Sequence, residues 1–128
     1  MIESVTESKR PGTSSLAELC RLVNGSSGAA SVLSGWQAVM QVSFTDEPPC
    51  FLQVTSTGVD LRSGTHIKPT VELVGTGTDL ATGFGGDVDL TQLLARGLMT
   101  SKGRYRDVIE FGRLTNAARR ARRAEGAS

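Results

Sequence analysis

Apolar and polar residues alternate most regularly between Trp36 and Phe44. Trp36, Ala38, Met40, Val42 and Phe44 share one side of an extended chain; Gln37, Val39, Gln41 and Ser43 share the other. One side is wholly apolar and the other half polar. That pattern predicts a strand in a sheet covered chiefly on one face. The segment T-D-E-P-P follows as a turn, in which two prolines remove donors and stop any helix. Phe51–Ser56 reads as a second strand. After a Thr57-Gly58 turn, Val59 and Leu61 alternate with Asp60 and Arg62 as a short third. S-G-T-H-I-K-P crosses to a fourth strand, Val71–Val74.

Helical spacing flanks these strands. Leu16, Leu19, Cys20 and Val23 form one stripe behind a capping box of Ser15 and Glu18, and Asn24-Gly25 ends it. The segment from Gly25 to Gly35 reads as loop, with room for one helical turn. Beyond the fourth strand, Thr76 or Thr78 caps a short helix containing Asp79 and Leu80. Asp89 and Gln92 form a second capping box for a helix that buries Leu90, Leu93 and Leu94 and stops at Gly97. Leu98–Lys102 is the expected fifth strand. A last helix from about Arg104 carries Tyr105, Val108, Ile109, Phe111 and Leu114 on one broad stripe, then continues as an exposed Ala/Arg helix or frays. The glycines between Gly75 and Gly97 fit several close chain reversals. The economical arrangement is α+β: a five-stranded, mostly antiparallel sheet with helices packed mainly on one face.

A chain of 128 residues suits one domain with a real core. The expected divisions are a flexible segment over residues 1–13, a domain over 14–118 and a basic tail over 119–128. The net charge of +1 selects no partner. Removing Arg119, Arg120, Arg122 and Arg123 would leave −3. No apolar run approaches the roughly 20 residues of a membrane span, and the polar N-terminus has no apolar secretion core, so a cytoplasmic location is expected. Cys20 and Cys50 lack metal or redox spacing and read as free thiols.

The candidate chemistry is thin. G-T-G-T-D-L after a strand looks like a dinucleotide turn, but Leu80 stands where the third glycine belongs and no βαβ repeat follows. His66 is the single histidine, in a loop without metal partners at ligand spacing. Asp46-Glu47 lies in a turn, and Asp87 and Asp89 at a helix start, where solvated or capping roles suit them. Cys50 would need a stabilised thiolate to act as a nucleophile. No catalytic residue, metal ligand or cofactor is assigned. The arginine tail reads as a solvated helix end, with Arg119, Arg120, Arg122 and Arg123 able to touch an anionic membrane transiently. Aromatic residues make up 5% of the chain and the tail is its single basic patch, so nucleic acid is not an expected partner.

From Trp36 to Leu114 the ordered set of features resembles the sterol-carrier-protein family of nonspecific lipid-transfer domains. The features are G-V-D-L at the second turn, P-T-V-E-L after the crossover, G-T-G-T-D-L into a helix, F-G-G-D-V-D-L-T-Q-L-L-A-R-G, and K-G-R-Y-R-D into the last helix. The resemblance implies an apolar cavity between sheet and helices that takes a fatty acid, acyl-CoA or sterol-like lipid. Its expected lining is Met40, Val42, Leu93, Leu94, Leu98, Met99, Tyr105, Val108, Ile109 and Phe111. The F-G-G-D loop is expected to shorten the tunnel.

Three functions fit this reading. The first is a carrier or presenting domain for an apolar small molecule. The second is an enzyme on a hydrophobic metabolite in the same cavity, drawing on His66, Tyr105, Asp60 or Cys50. The third is an interaction module, such as a homodimer, with a vestigial cavity.

Overall fold

The computed structural model describes residues 10–127. Most of the segment expected to be flexible, residues 1–9, lies outside them. The elements in chain order are α1 (Pro11–Asn24), α2 (Ser27–Leu33), β1 (Ala38–Phe44), β2 (Cys50–Thr55), β3 (Gly58–Ser63), β4 (Val71–Gly75), α3 (Gly77–Phe84), α4 (Leu90–Ala95), β5 (Thr100–Gly103) and α5 (Tyr105–Ala127).

The strands form one sheet in the order β3-β2-β1-β4-β5. Three pairings are antiparallel, and β1 with β4, at the centre, is parallel. Register puts Met40 opposite Leu52 and Val71, and Val42 opposite Cys50 and Leu73. The alternation in β1 therefore continues across the sheet as one apolar face. The helices cover it: α1 packs on β3, and α5 on β4 and β5. Leu16, Leu19, Met40, Val42, Leu52, Leu73, Phe111 and Leu114 have no exposed surface and belong to one core cluster.

The elements depart from the sequence expectations where long-range partners override local signals. Helix α1 starts at Pro11, not after Ser15, and Ser15 makes no cap. Proline at the first helical position gives up no needed N–H and supplies a helical φ. The capping is done from elsewhere. Glu47 accepts from the Gly12 N–H at 2.9 Å, the Thr13 N–H at 3.0 Å and the Thr13 hydroxyl at 2.8 Å. Glu18 instead pairs with Arg21. Where a loop was expected, Ser27–Leu33 is helical, because Ala29, Val32 and Leu33 bury one side of it. Asp89 stands at the N-cap of α4 but makes no side-chain cap bond, so the expected capping box with Gln92 does not form. The fifth strand begins at Thr100 rather than Leu98. Met99 turns into the core there, 2% exposed, and leaves the ladder.

The turn acids are not solvated as expected. Glu47 is buried, and Asp46 accepts from the Gly77 N–H at 2.8 Å, the start of α3. Gly12 and Gly77 are required here by close approach. A Cβ on Gly77 would strike the Glu47 carboxylate, and one on Gly12 the Phe44 ring. The strand-to-helix turn that resembles a phosphate loop is thus already filled by an internal carboxylate.

The C-terminal arginines stay helical. Arg119 donates to the Gly86 carbonyl and Arg122 to the Gly85 carbonyl, each at 3.2 Å. Arg21 on α1 bridges to Glu125. The end of α5 is thereby tied to the F-G-G-D loop and to the first helix.

Candidate functional site

The apolar stripe of α5 lies against the sheet and beside α4. Between α4 and α5 runs a shallow groove of about 150 Å³, lined by Asp89, Leu90, Thr91, Val108, Ile109, Gly112, Arg113 and Asn116. Leu90 and Val108 are 2% and 1% exposed and belong to the core cluster, so the groove's floor is the core itself. One wall is missing at Gly112, where an added Cβ would meet nothing within 4 Å. Sequence reasoning put Leu90 on the buried side of α4 and passed over Gly112. A glycine flanking the apolar stripe of a helix, where alanine is favoured, is the signal that was available.

The ten expected lining residues divide in two. Met40, Val42, Leu93, Met99, Val108 and Phe111 are buried together in the core. Phe111 meets Phe84 edge-on, ring centroids 5.6 Å apart. Leu94 is half-buried, and Leu98, Tyr105 and Ile109 are exposed on the outside of the same layer. Val108 and Ile109 line the groove directly.

Helix α4 is the least anchored wall. It has six residues, lacks a side-chain N-cap bond and packs on α3 and α5. Helices this short do not persist on propensity alone, so tertiary contacts at Leu90 and Leu93 hold it.

A buried carboxylate fixes the other wall. Asp107 has no exposed surface. It accepts from the Trp36 indole N–H at 3.0 Å, the Thr70 hydroxyl at 2.6 Å and Arg104 Nε at 3.1 Å. This joins the starts of β1, β4 and α5. Arg104 also donates to the Gln37 carbonyl at 2.8 Å. Two open clefts flank the hub at the sheet end, about 450 and 550 Å³, sharing Gln37 and Arg104. Both reach core residues, Trp36 in the first and Ala38 and Val54 in the second. The first is lined mainly by polar groups and the second by the start of β1 and the end of β2 with Thr70 and Arg104.

The residues considered for catalysis do not converge. Cys50 faces the helices beside Leu52 and Val54, whereas His66 meets the Phe51 ring edge-on on the opposite face of the sheet, centroids 5.1 Å apart. Burial pushes the Cys50 thiol up to about 11, which removes it as a nucleophile at neutral pH. Asp60 is paired with Arg62 on the surface, and Tyr105 is exposed. Among the described residues, no three His, Cys, Asp or Glu side chains gather as metal donors, and no helix is long and apolar enough to cross a membrane.

No family model matches the sequence, and no curated protein matches it. Solved structures do match its backbone. A UbiJ-SCP2 ubiquinone synthesis protein superposes with a TM-score of 0.68 at 17% identity, over 78% of this chain and 88% of the other. Domain 2 of the sterol carrier protein of Helicoverpa armigera gives 0.67 at 9% identity, over 87% and 90%. The chain has the sterol carrier protein fold. A third sterol carrier fold, the palmitated SCP2L2 of Aedes aegypti, gives 0.55 at 14% identity, over 79% and 90%. The expected five-stranded, mostly antiparallel α+β sheet with its helical layer is therefore present, and the α4–α5 groove lies in the helical layer of a sterol carrier fold.

Proposed function

We propose that this chain binds an apolar small molecule, a fatty acid or related acyl compound, between its sheet and its helical layer, as a carrier or presenting domain. The observation that carries the reading is that Leu90 and Val108 belong at once to the groove and to the core. A guest entering at Gly112 passes a rim of Asp89, Thr91, Arg113 and Asn116 and meets the interior of the domain at Leu90 and Val108. The fold likeness adds support, since one relative with this fold is described as palmitated.

Ligand pockets are usually about 300–1,000 Å³, and the groove is about 150 Å³. The bound state therefore needs α4 to move off α5 and the guest to take the space Leu90 and Leu93 occupy. The exchange is close to balanced. Each Å² of acyl chain withdrawn from water contributes about 25 cal/mol, and the chain's methylenes replace the contacts that the leucines give up. A flexible tail suits such a slot better than rigid rings. Met40 and Val42 would form the floor, with Leu93, Leu94, Leu98 and Met99 on one side. Tyr105, Val108, Ile109 and Phe111 would line the other. Methionines at floor and side adapt to an irregular guest.

The test is uptake of a fluorescent fatty acid by the purified chain, with native mass spectrometry after gentle purification. One guest per chain is expected. Failure with every apolar probe, together with a bare mass, removes the reading.

A further inference from the structure

Net positive charge in this chain is concentrated in one stretch. Residues 95–123 carry nine Lys and Arg against two Asp and Glu, a net +7, and the rest of the chain is −6. Among the described residues, three of the four exposed large apolar side chains lie in the same stretch: Leu98, Tyr105 and Ile109.

On α5 the two properties coincide. Tyr105, Arg106, Ile109, Arg113, Arg120 and Arg123 are all exposed. At 3.6 residues per turn they fall within about 100° of one another, along roughly 27 Å of helix. Of the acids of α5 near this face, Asp107 is buried and Glu110 pairs with Arg113, offsetting part of that one charge. Asp89, the N-cap of α4 at the groove rim, also lies beside it. Arg119 and Arg122 turn away to Gly86 and Gly85. The face therefore shares Arg120 and Arg123 with the arginine tail singled out in the sequence and adds Tyr105, Arg106, Ile109 and Arg113.

We infer that the outer face of α5 docks on an anionic lipid bilayer. Tyr105 and Ile109 enter the interfacial layer, and Arg106, Arg113, Arg120 and Arg123 meet headgroup phosphates. Tyrosine rings settle at headgroup level, and basic side chains are drawn to an anionic leaflet. An extended convex stripe suits a flat charged surface better than a protein partner, which would present side chains to a central pocket. The groove opens on this same face at Ile109, Gly112 and Arg113. A guest could then pass between bilayer and core without entering water. That role rests on the proposed carrier function; the docking contact does not.

The experiment is flotation of the full chain with vesicles of phosphatidylglycerol and phosphatidylcholine, or phosphatidylcholine alone, at low and high salt. Binding to the anionic vesicles alone, lost at high salt, is expected. Replacing Arg106, Arg113 and Arg120 together by Gln should weaken it about a hundredfold, each charge being worth near fivefold at such a surface. Tyr105→Ser with Ile109→Ser should weaken it too, and Arg62→Gln with Lys68→Gln should not. No flotation, or flotation unaffected by the triple variant, overturns the inference. Equal retention on polyglutamate with no effect of the Tyr105 and Ile109 changes also overturns it, in favour of an acidic partner. Vesicle binding by a chain that takes up no fatty acid retains the docking face and removes the carrier function alone.

Discussion

Asp46 and Glu47, adjacent in the β1–β2 turn, cap two different helices. Asp46 holds the first N–H of α3, and Glu47 holds the start of α1. Two consecutive carboxylates thus fix the two helices that pack on each other at the end of the sheet. Helix N-termini favour anions through their free N–H groups and dipole. Glu47 is buried and makes three bonds, so Glu47→Ala is expected to cost about 2–3 kcal/mol, the range for buried hydrogen bonds to a charged group. Asp46→Ala should cost about 1 kcal/mol as a lost cap. Urea unfolding of both variants checks the order; equal losses would contradict it.

Asp107 is expected to be a second sensitive hub. Asp107→Ala leaves the buried Trp36 indole without an acceptor, while the Thr70 hydroxyl keeps the Val39 carbonyl and Arg104 keeps the Gln37 carbonyl. An unmet buried donor costs about 1–3 kcal/mol, and the half-exposed Arg104 can turn to water, so a loss of that order is expected. Trp36 is the only tryptophan. Its fluorescence should report loosening at this corner before global unfolding. Asp107→Asn, which keeps the shape and one acceptor, should lose less. An Ala variant as stable as the parent would remove the hub.

Much of the fold was legible, and what was not shares one cause. The alternation in β1 and β2 and the stripe of α5 declare themselves because each is satisfied by the same face along its whole length. Helix α2 has three apolar positions among serines, glycine and alanine, too few to outweigh loop chemistry. The start at Pro11 is hidden until the cap that holds Gly12 and Thr13 is known, and that cap, Glu47, lies 35 residues from Gly12. The candidate site followed the same rule. Residues on the α5 stripe were found by period, but which of them face solvent depends on where α4 lies. Tyr105 and Ile109 could therefore not be separated from Val108 and Phe111.

The buried thiols should set an alkaline limit. Burial raises Cys20 to about 12 and Cys50 to about 11 from an ordinary 9.0. Above pH 9 the unfolded chain releases these protons and the folded chain keeps them. Stability from this source is full below pH 9 and is lost as pH rises through 11 and 12. Cys20→Val with Cys50→Val should flatten the decline in denaturant midpoint above pH 9. An unchanged decline would assign it to other groups. Native thiols should likewise resist iodoacetamide at pH 8 and react after unfolding.

Gly112 separates stability from uptake. Gly112→Ala meets nothing nearby and should stabilise α5 by about 1 kcal/mol, with little effect on a fatty acid probe. Gly112→Trp should fold equally well yet close the groove and lower probe affinity at least about tenfold, as a ring filling that volume would. Unaltered uptake by the Trp variant would put the mouth elsewhere.

The central claim is that an acyl guest lies between sheet and helices. Methionine methyls test it most directly, since Met40 on β1 and Met99 ahead of β5 are buried on the two sides of the proposed slot. With methyl-labelled methionine and a saturating fatty acid, both signals are expected to shift and to show contacts to the acyl methylenes. Saturable binding that leaves the Met40 and Met99 methyls unshifted and without contacts to the guest would contradict the account.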